Sequence, residues 1–270
     1  MTAQWQGLLQ NLGIWQGSFT QLSPSGEVQE DVPSELTLSL SEDEKMVSLL
    51  LKRANTQEVT LQFTYPGPGY QIPFFENGCF SQASLQHSPW TQFGAEFSLF
   101  DGHDRRLRLV QLYRQGTDLS SLTLIREQRA GSGAQESSHL SVEALLGQWR
   151  GEAITLFADY RSPEVVSTHL SIQQKGDRLQ QTLQFGSQQI QSSAQISGNC
   201  LRFMDSPQPM QLLCLPGGAS SLCPSIIQPR TPFVLEVGWL ITPSLRQRLI
   251  RSYGAGGEWL SITLVTEHKR

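Results

Sequence analysis

The stretch FVLEVGWLITPSLRQRLIRSYGAGGEWLSITLVTEHKR, residues 233–270, sets Arg246, Arg248 and Arg251 in a segment patterned as paired β-strands. Guanidinium groups so placed have two uses. On a solvated face they keep the strands soluble; turned inward, they hold a carboxylate of the protein or of a ligand through charge-assisted, often bidentate hydrogen bonds. Glu236, on the strand before them, is a candidate internal partner. Alternation puts Arg246, Arg248 and Ile250 on one face and Gln247, Leu249, Arg251 and Tyr253 on the other. Both faces are mixed in character, so periodicity leaves the inward one open. The chain also repeats internally, keeping counterparts of Arg246, Arg248 and Glu236 but setting Gln111 against Arg251, so Arg246, Arg248 and Glu236 are expected to face the interior. An unpaired charge inside a barrel costs several kcal/mol, so inward arginines require partners.

Other chemistries find less support. His87, His103, His139, His169 and His268 show no metal-ligand spacing and read as surface or hydrogen-bonded residues. There is no G-x-S-x-G elbow, no Walker loop, and no G-x-G-x-x-G between a strand and a helix. Cys79, Cys200, Cys214 and Cys223 contain no C-x-x-C pair, which implies free thiols, and Cys79, with no His nearby in sequence, reads as an ordinary small hydrophobe rather than a nucleophile. No catalytic residue and no metal site is expected. A formal charge of -4, with no Lys/Arg cluster, argues against nucleic acid as a partner. No apolar run reaches the ~20 residues of a membrane span, and the first residues are too polar for a signal peptide. The expected setting is cytoplasmic, or stromal in a plastid.

The elements that position these residues emerge when the chain is compared with itself. RLRLVQLYRQGTDLSSLTLIREQR (106–129) aligns without a gap to RQRLIRSYGAGGEWLSITLVTEHK (246–269). Arg106 matches Arg246, Arg108 matches Arg248, Tyr113 matches Tyr253, and Glu127 matches Glu267; further back, Glu96 matches Glu236 and Phe93 matches Phe233. GIWQG (13–17) and GQWRG (147–151) open the two copies, each after a short Leu-rich segment able to form a helical turn or two. AGSGAQESS (130–138) joins them and reads as a flexible linker. The expected units are residues 1–132 and 138–270.

Each copy reads as all-β. SELTLSLSED, EVTLQFTY, STHLSIQQK and RLQQTLQF alternate, with turn signals between them. About eight or nine strands per copy suit an up-and-down antiparallel barrel, whose closure removes exposed edges. Two tandem barrels are therefore expected, with Trp15 and Trp149 buried at their closed ends. The other indoles, Trp5, Trp90, Trp239 and Trp259, are read mostly as core, with Trp239 the one best placed for a pocket.

Gly13-x-Trp15 and Gly147-x-Trp149 resemble the signature of the calycin superfamily of lipocalins and fatty-acid-binding proteins. LEVGWLITPSLRQRLIRSYG…GEWLSITLVTE resembles the Glu-x-x-Trp, Pro-x-Leu-Arg-x-Arg and Ser-x-x-x-x-x-Glu pattern of the S-type phycobiliprotein chromophore lyases. With FFENGCFSQASLQHSPWTQFGAEFSLF and LLCLPGGASSLCP, the whole chain resembles a cyanobacterial and chloroplast family of double calycin-like proteins defined as a domain of unknown function. The lyase resemblance implies a pocket for a linear tetrapyrrole, with Glu236, Trp239, Arg246 and Arg248 at matching positions. In the first copy Glu96, Arg106 and Arg108 are retained, but Leu99 stands where the Trp would be.

Three functions follow as expectations. One is a barrel that binds a hydrophobic carboxylate such as a bilin or fatty acid, without covalent attachment. A lyase-like carrier that hands a bilin to an acceptor protein is the second. In the third, both barrels are filled and the surface serves structure or assembly.

Overall fold

The computed structural model describes every residue except Met1, Asn55, Tyr70 and His103. His103, one of the scattered histidines, therefore lies outside the described residues. Among the described residues no helix is long and apolar enough to cross a membrane.

The chain opens with helix α1 (Ala3–Leu9), capped by the Thr2 hydroxyl, which accepts from the Trp5 amide. Eight strands follow: β1 (Gly13–Leu22), β2 (Val28–Leu40), β3 (Met46–Arg53), β4 (Val59–Thr64), β5 (Phe80–Ala83), β6 (Phe93–Asp101), β7 (Arg105–Tyr113) and β8 (Ser121–Arg129). They form one antiparallel sheet in the order β4-β3-β2-β1-β8-β7-β6-β5. After the one-turn helix α2 (Val142–Leu145) come β9 (Gly147–Phe157), β10 (Glu164–Lys175), β11 (Arg178–Phe185), β12 (Gln188–Ser197), β13 (Cys200–Phe203) and β14 (Met210–Cys214). The chain finishes with β15 (Ala219–Cys223), β16 (Phe233–Thr242), β17 (Leu245–Tyr253) and β18 (Trp259–Lys269). These ten strands close into a barrel.

The fold is all-β, with two barrel-like sheets in tandem as the duplication implies. They differ in closure. In the second, the short hairpin β13–β14 links β12 to β15. The first has the loop of residues 65–79 at that place, and among the described residues its ladder is not continuous from β4 to β5. Phe74 and Phe75 of the loop are buried there, and the Gln4 side chain of α1 exchanges hydrogen bonds with the Phe74 backbone.

Both signature indoles are fully buried. The Nε1 of Trp15 donates to the Asn11 carbonyl, and that of Trp149 to the Leu145 carbonyl, each at 2.9 Å. Each ring is thus buried at the start of the first strand of its half while its polar edge is satisfied by a carbonyl four residues earlier. Trp90 departs from the core expectation, standing 90% exposed in the loop before β6.

One buried apolar cluster spans both halves, and a second, around Trp149, Leu170 and Ile172, lies within the second half. Phe93 and Phe233 meet edge to face, 5.8 Å between centroids, and Tyr253 stacks on Phe233 at 4.8 Å. Tyr113 donates to the Pro224 carbonyl and Tyr253 to the Ser84 carbonyl. Backbone bridges cross in both directions, Gln86 to Glu258 and Asp118 to Ile226. Since the partners are repeat mates, the contact is a two-fold interface built within one chain.

Candidate functional site

Gly17 and Gly151 explain why the signature segments end in glycine. Each pairs across to a glutamate, Gly17 with Glu127 of β8 and Gly151 with Glu267 of β18. A Cβ at Gly17 would overlap the Arg126 carbonyl, and one at Gly151 the Thr266 carbonyl. The glycines let the strands close on a buried carboxylate.

That carboxylate organises the arginines. In the first half, Arg106 Nε donates to Glu127 Oε2 at 2.8 Å, and Arg106 Nη1 to Asn11 Oδ1 at 3.0 Å. Arg108 reaches both oxygens of Glu127, Nε to Oε2 at 3.0 Å and Nη2 to Oε1 at 2.9 Å, and its Nη1 reaches Glu96 Oε1 at 2.8 Å. Arg106 lies 4.5 Å from the centre of the Trp15 ring. The second half repeats the arrangement. Arg246 grips Glu267 Oε1, Arg248 Nε stands 3.2 Å from the same oxygen, and Arg248 Nη1 stands 3.4 Å from Glu236 Oε1. Arg246 lies 4.8 Å over Trp149.

The second cluster is looser for a visible reason. Phe19 lies 5.5 Å beneath Arg108 and backs it. Strand pairing sets Phe19 opposite Ile125 and Ala153 opposite Val265, so Ala153 holds the corresponding place and offers no ring. A void of about 50 Å³ adjoins Arg246, Arg248, Glu236 and Ser220. Its size suits one or a few waters, well below the ~300–1,000 Å³ of small-molecule pockets.

Each cluster holds two arginines and two glutamates and is close to neutral. Burial alone would raise the Glu127 carboxyl, but the charges and hydrogen bonds of Arg106 and Arg108 outweigh it and hold the group at about 2. Glu267 is held down likewise by Arg246 and Arg248. A folded value below the unfolded one gives stability that is fully present above the ordinary value of 4.5 and is lost as the pH falls toward about 2. Urea midpoints are therefore expected to hold steady from pH 7 to about 5 and to fall between about 4.5 and 2. In a Glu127→Gln variant that acid limb should be shallower; an unchanged limb would show that Glu127 is not its source.

The remaining predicted residues separate by face. Glu96, Arg106 and Arg108 meet in the first half, and Glu236, Arg246 and Arg248 in the second, all on inward faces. Trp239 does not join them: it lies on the opposite face of β16 from Glu236. Its indole donates to the Gly217 carbonyl at 3.0 Å, with Arg105 over its ring, in a groove of about 300 Å³ between the halves. Arg251 has no exposure although it shares that outer face, because the first half covers it. It donates to the Tyr253 hydroxyl and reaches Ser81, while its repeat mate Gln111 donates to Ser221. Neither face of β17 is the solvated one.

Glu127 and Glu267 are the members that sequence reasoning overlooked as partners, although their recurrence in the repeat was the available signal. The linker, expected to be flexible, is tied down: Arg105 donates to the Gln135 carbonyl and the Ser137 hydroxyl, and Arg126 pairs with Glu136. Cys79 is fully buried, and burial pushes its thiol up to about 12, which makes it a poor nucleophile. His87 packs between Phe93 and Phe233 with its ring 2.8 Å from the Gly116 carbonyl. Among the described residues no group of three or more His, Cys, Asp or Glu is placed to hold a metal.

Residues 1–132 match the family model described as the N-terminal domain of DUF3598, a domain of unknown function. Residues 136–270 match the model described as the C-terminal domain of biogenesis factor required for ATP synthase 1. No curated protein matches. The crystal structure of a DUF3598-family protein of unknown function from Nostoc punctiforme is similar over 100% of both chains, with 44% identity and a TM-score of 0.95. An S-type phycobiliprotein lyase from Guillardia theta is similar over 47% of this chain and 89% of its own, with 16% identity and a TM-score of 0.38. A putative outer membrane protein from Bacteroides fragilis is similar over 98% of this chain and 99% of its own, with 11% identity and a TM-score of 0.30. Full-length similarity at this identity, together with the two domain matches, means that the chain belongs to the DUF3598 family and that its second half belongs with the C-terminal domain of biogenesis factor required for ATP synthase 1.

Proposed function

We propose that the protein is a non-catalytic assembly factor that serves the biogenesis of an ATP synthase by holding another protein against its surface. The observation that carries this reading is the filled interior of the second barrel, where a near-neutral ion cluster leaves about 50 Å³. A barrel closed around its own charges is a stiff support rather than a container. The C-terminal family match supplies the class of complex. Co-purification of the tagged protein with individually expressed soluble ATP synthase subunits, at physiological salt, tests the reading. Binding to at least one subunit is expected, and failure with all of them would overturn it.

A second reading, non-covalent binding of a bilin or fatty acid through its carboxylate, draws on one observation: the interior void touches Arg246, Arg248 and Glu236. A lyase-like transfer of such a ligand to an acceptor protein would need that same pocket. The two readings divide on Arg248→Ala. Under the assembly reading the change strips Glu236 of its partner and lowers the melting temperature, while neither a bilin nor its dimethyl ester binds the wild type or the variant. Carboxylate recognition instead requires that the bilin bind and lose about 1.5 to 3 kcal/mol on substitution, with the ester nearly unaffected.

A further inference from the structure

The internal two-fold axis relates two grooves at the junction of the halves; among the described residues a segment of the chain crosses the first, while Ala3 and Gln4 line one side of the second. The first, about 300 Å³, is lined by Ser18 of β1, Arg126 of β8 and Gly217. The second, about 720 Å³, is lined by Glu152, Thr266 and Asn77. Strand pairing makes these mates: Ser18 stands opposite Pro33 and beside Arg126, as Glu152 stands opposite Ser167 and beside Thr266. Asn77 and Gly217 correspond through the repeat that matches Gly78 with Gly218.

The chain's own segment from Gln135 to Ser137 crosses the first groove, held by Arg105 and Arg126. The second groove has no counterpart of either arginine: Thr266 stands in place of Arg126, and Leu245, the repeat mate of Arg105, carries no donor and lies outside the lining. Its walls are apolar instead: Ile154 and Leu156 of β9, Val165 of β10, Leu264 and Trp259 of β18, and Phe75 from the first half. Val165 is 57% exposed. Its charged lining residues are Glu76, Glu152 and Arg161, and Arg161 is paired with Asp159, which leaves the two glutamates in excess.

We propose that this second groove docks an extended, apolar peptide segment of a partner protein, with a basic side chain of that segment facing Glu152 and Glu76. Three features point to that occupant. The related groove is crossed by a segment of polypeptide, and Glu152, Thr266 and Asn77 here stand where Ser18, Arg126 and Gly217 stand there. The absence of counterparts to Arg126 and Arg105 removes the donors that grip a polar strap, and Ile154, Leu156, Val165 and Leu264 leave surface that rewards apolar side chains. The carboxylates select a positive charge and reject an acidic segment. Naming a protein as the occupant rests on the assembly reading; the shape and chemistry of the groove do not.

The test uses the full chain and dye-labelled synthetic peptides read by fluorescence anisotropy. One peptide alternates valine and leucine with threonine and ends in lysine; a second replaces the apolar residues with serine; a third replaces the lysine with glutamate. The first is expected to bind, with the other two weaker by about tenfold or more. Val165→Asp, an exposed substitution that leaves the melting temperature unchanged, should weaken the first peptide by about tenfold. Gln16→Asp, in the other groove, should not. Equal binding of all three peptides, no binding of the first, displacement of it by laurate at matched concentration, or an unaffected Val165→Asp would each overturn the proposal. Peptide binding without co-purification of any ATP synthase subunit would remove the assembly reading and leave the docking groove; the reverse would remove the groove alone.

Discussion

Glu267→Ala is expected to lower unfolding stability by about 3–5 kcal/mol, and the melting temperature by on the order of 10 °C. The carboxylate has no exposure, and both Arg246 and Arg248 converge on it. Removing it leaves Arg246 buried at 5% exposure beside Trp149, with Glu267 its one carboxylate partner among the described residues. The cost is that of a stranded charge rather than of a lost contact. Two controls separate these. Replacing the pair together, Arg246→Met with Glu267→Leu, removes the charge and its partner and should recover most of the loss. Asp159→Ala, which breaks the Arg161 pair whose side chains are 60% and 61% exposed, should change stability by less than about 1 kcal/mol. Urea unfolding followed by tryptophan fluorescence reads all three. A Glu267→Ala loss no larger than that of Asp159→Ala would mean that the cluster does not support the barrel.

The clusters were half legible in the sequence. Duplication exposed Glu96, Arg106 and Arg108 beside Glu236, Arg246 and Arg248, because a buried ion set survives in both copies only if its members are kept together. It exposed Glu127 and Glu267 equally, but Glu236, on the preceding strand, seemed partner enough. The pairing that matters is across β17 to β18, where Arg246 stands directly opposite Glu267. Alternation alone did not reveal the inward face of β17, although the repeat did, by keeping Arg246 and Arg248 with Glu236 while Gln111 stands against Arg251. The failure of alternation has a physical reason. Alternation reports a half-buried strand, whereas β17 has its own barrel on one side and the other half of the chain on the other, so both faces carry buried residues. Trp239 was legible by parity alone: three positions from Glu236 along a strand is the opposite face. The difference in closure depends on the β13–β14 hairpin, whose strands are too short for alternation to announce them. The second groove has no local signal either, being made by residues from α1, β9, the β9–β10 loop, β10, β18 and the loop before β5.

A single cooperative unfolding transition is expected, although the chain is a duplication whose halves have separate sheets. One buried apolar cluster runs from Trp5 and Trp15 of the first half to Leu249 and Leu264 of the second. At its centre Phe93, Phe233, Tyr113 and Tyr253 pack on one another, and both tyrosine hydroxyls donate to carbonyls of the opposite half. Unfolding either half would expose these rings and strand Arg251, whose donors face Ser81 across the junction. Neither half therefore retains its stability when the other is lost. Phe233→Ala removes a ring that is 4% exposed and touches Phe93, Tyr253 and His87, so about 3–5 kcal/mol is expected. That loss should appear in the whole molecule. Scanning calorimetry of the wild type should give one peak whose calorimetric and van't Hoff enthalpies agree, and the variant one peak at lower temperature. Two peaks, with Phe233→Ala moving only one of them, would show instead that the barrels fold as independent bodies and that the internal two-fold interface contributes little.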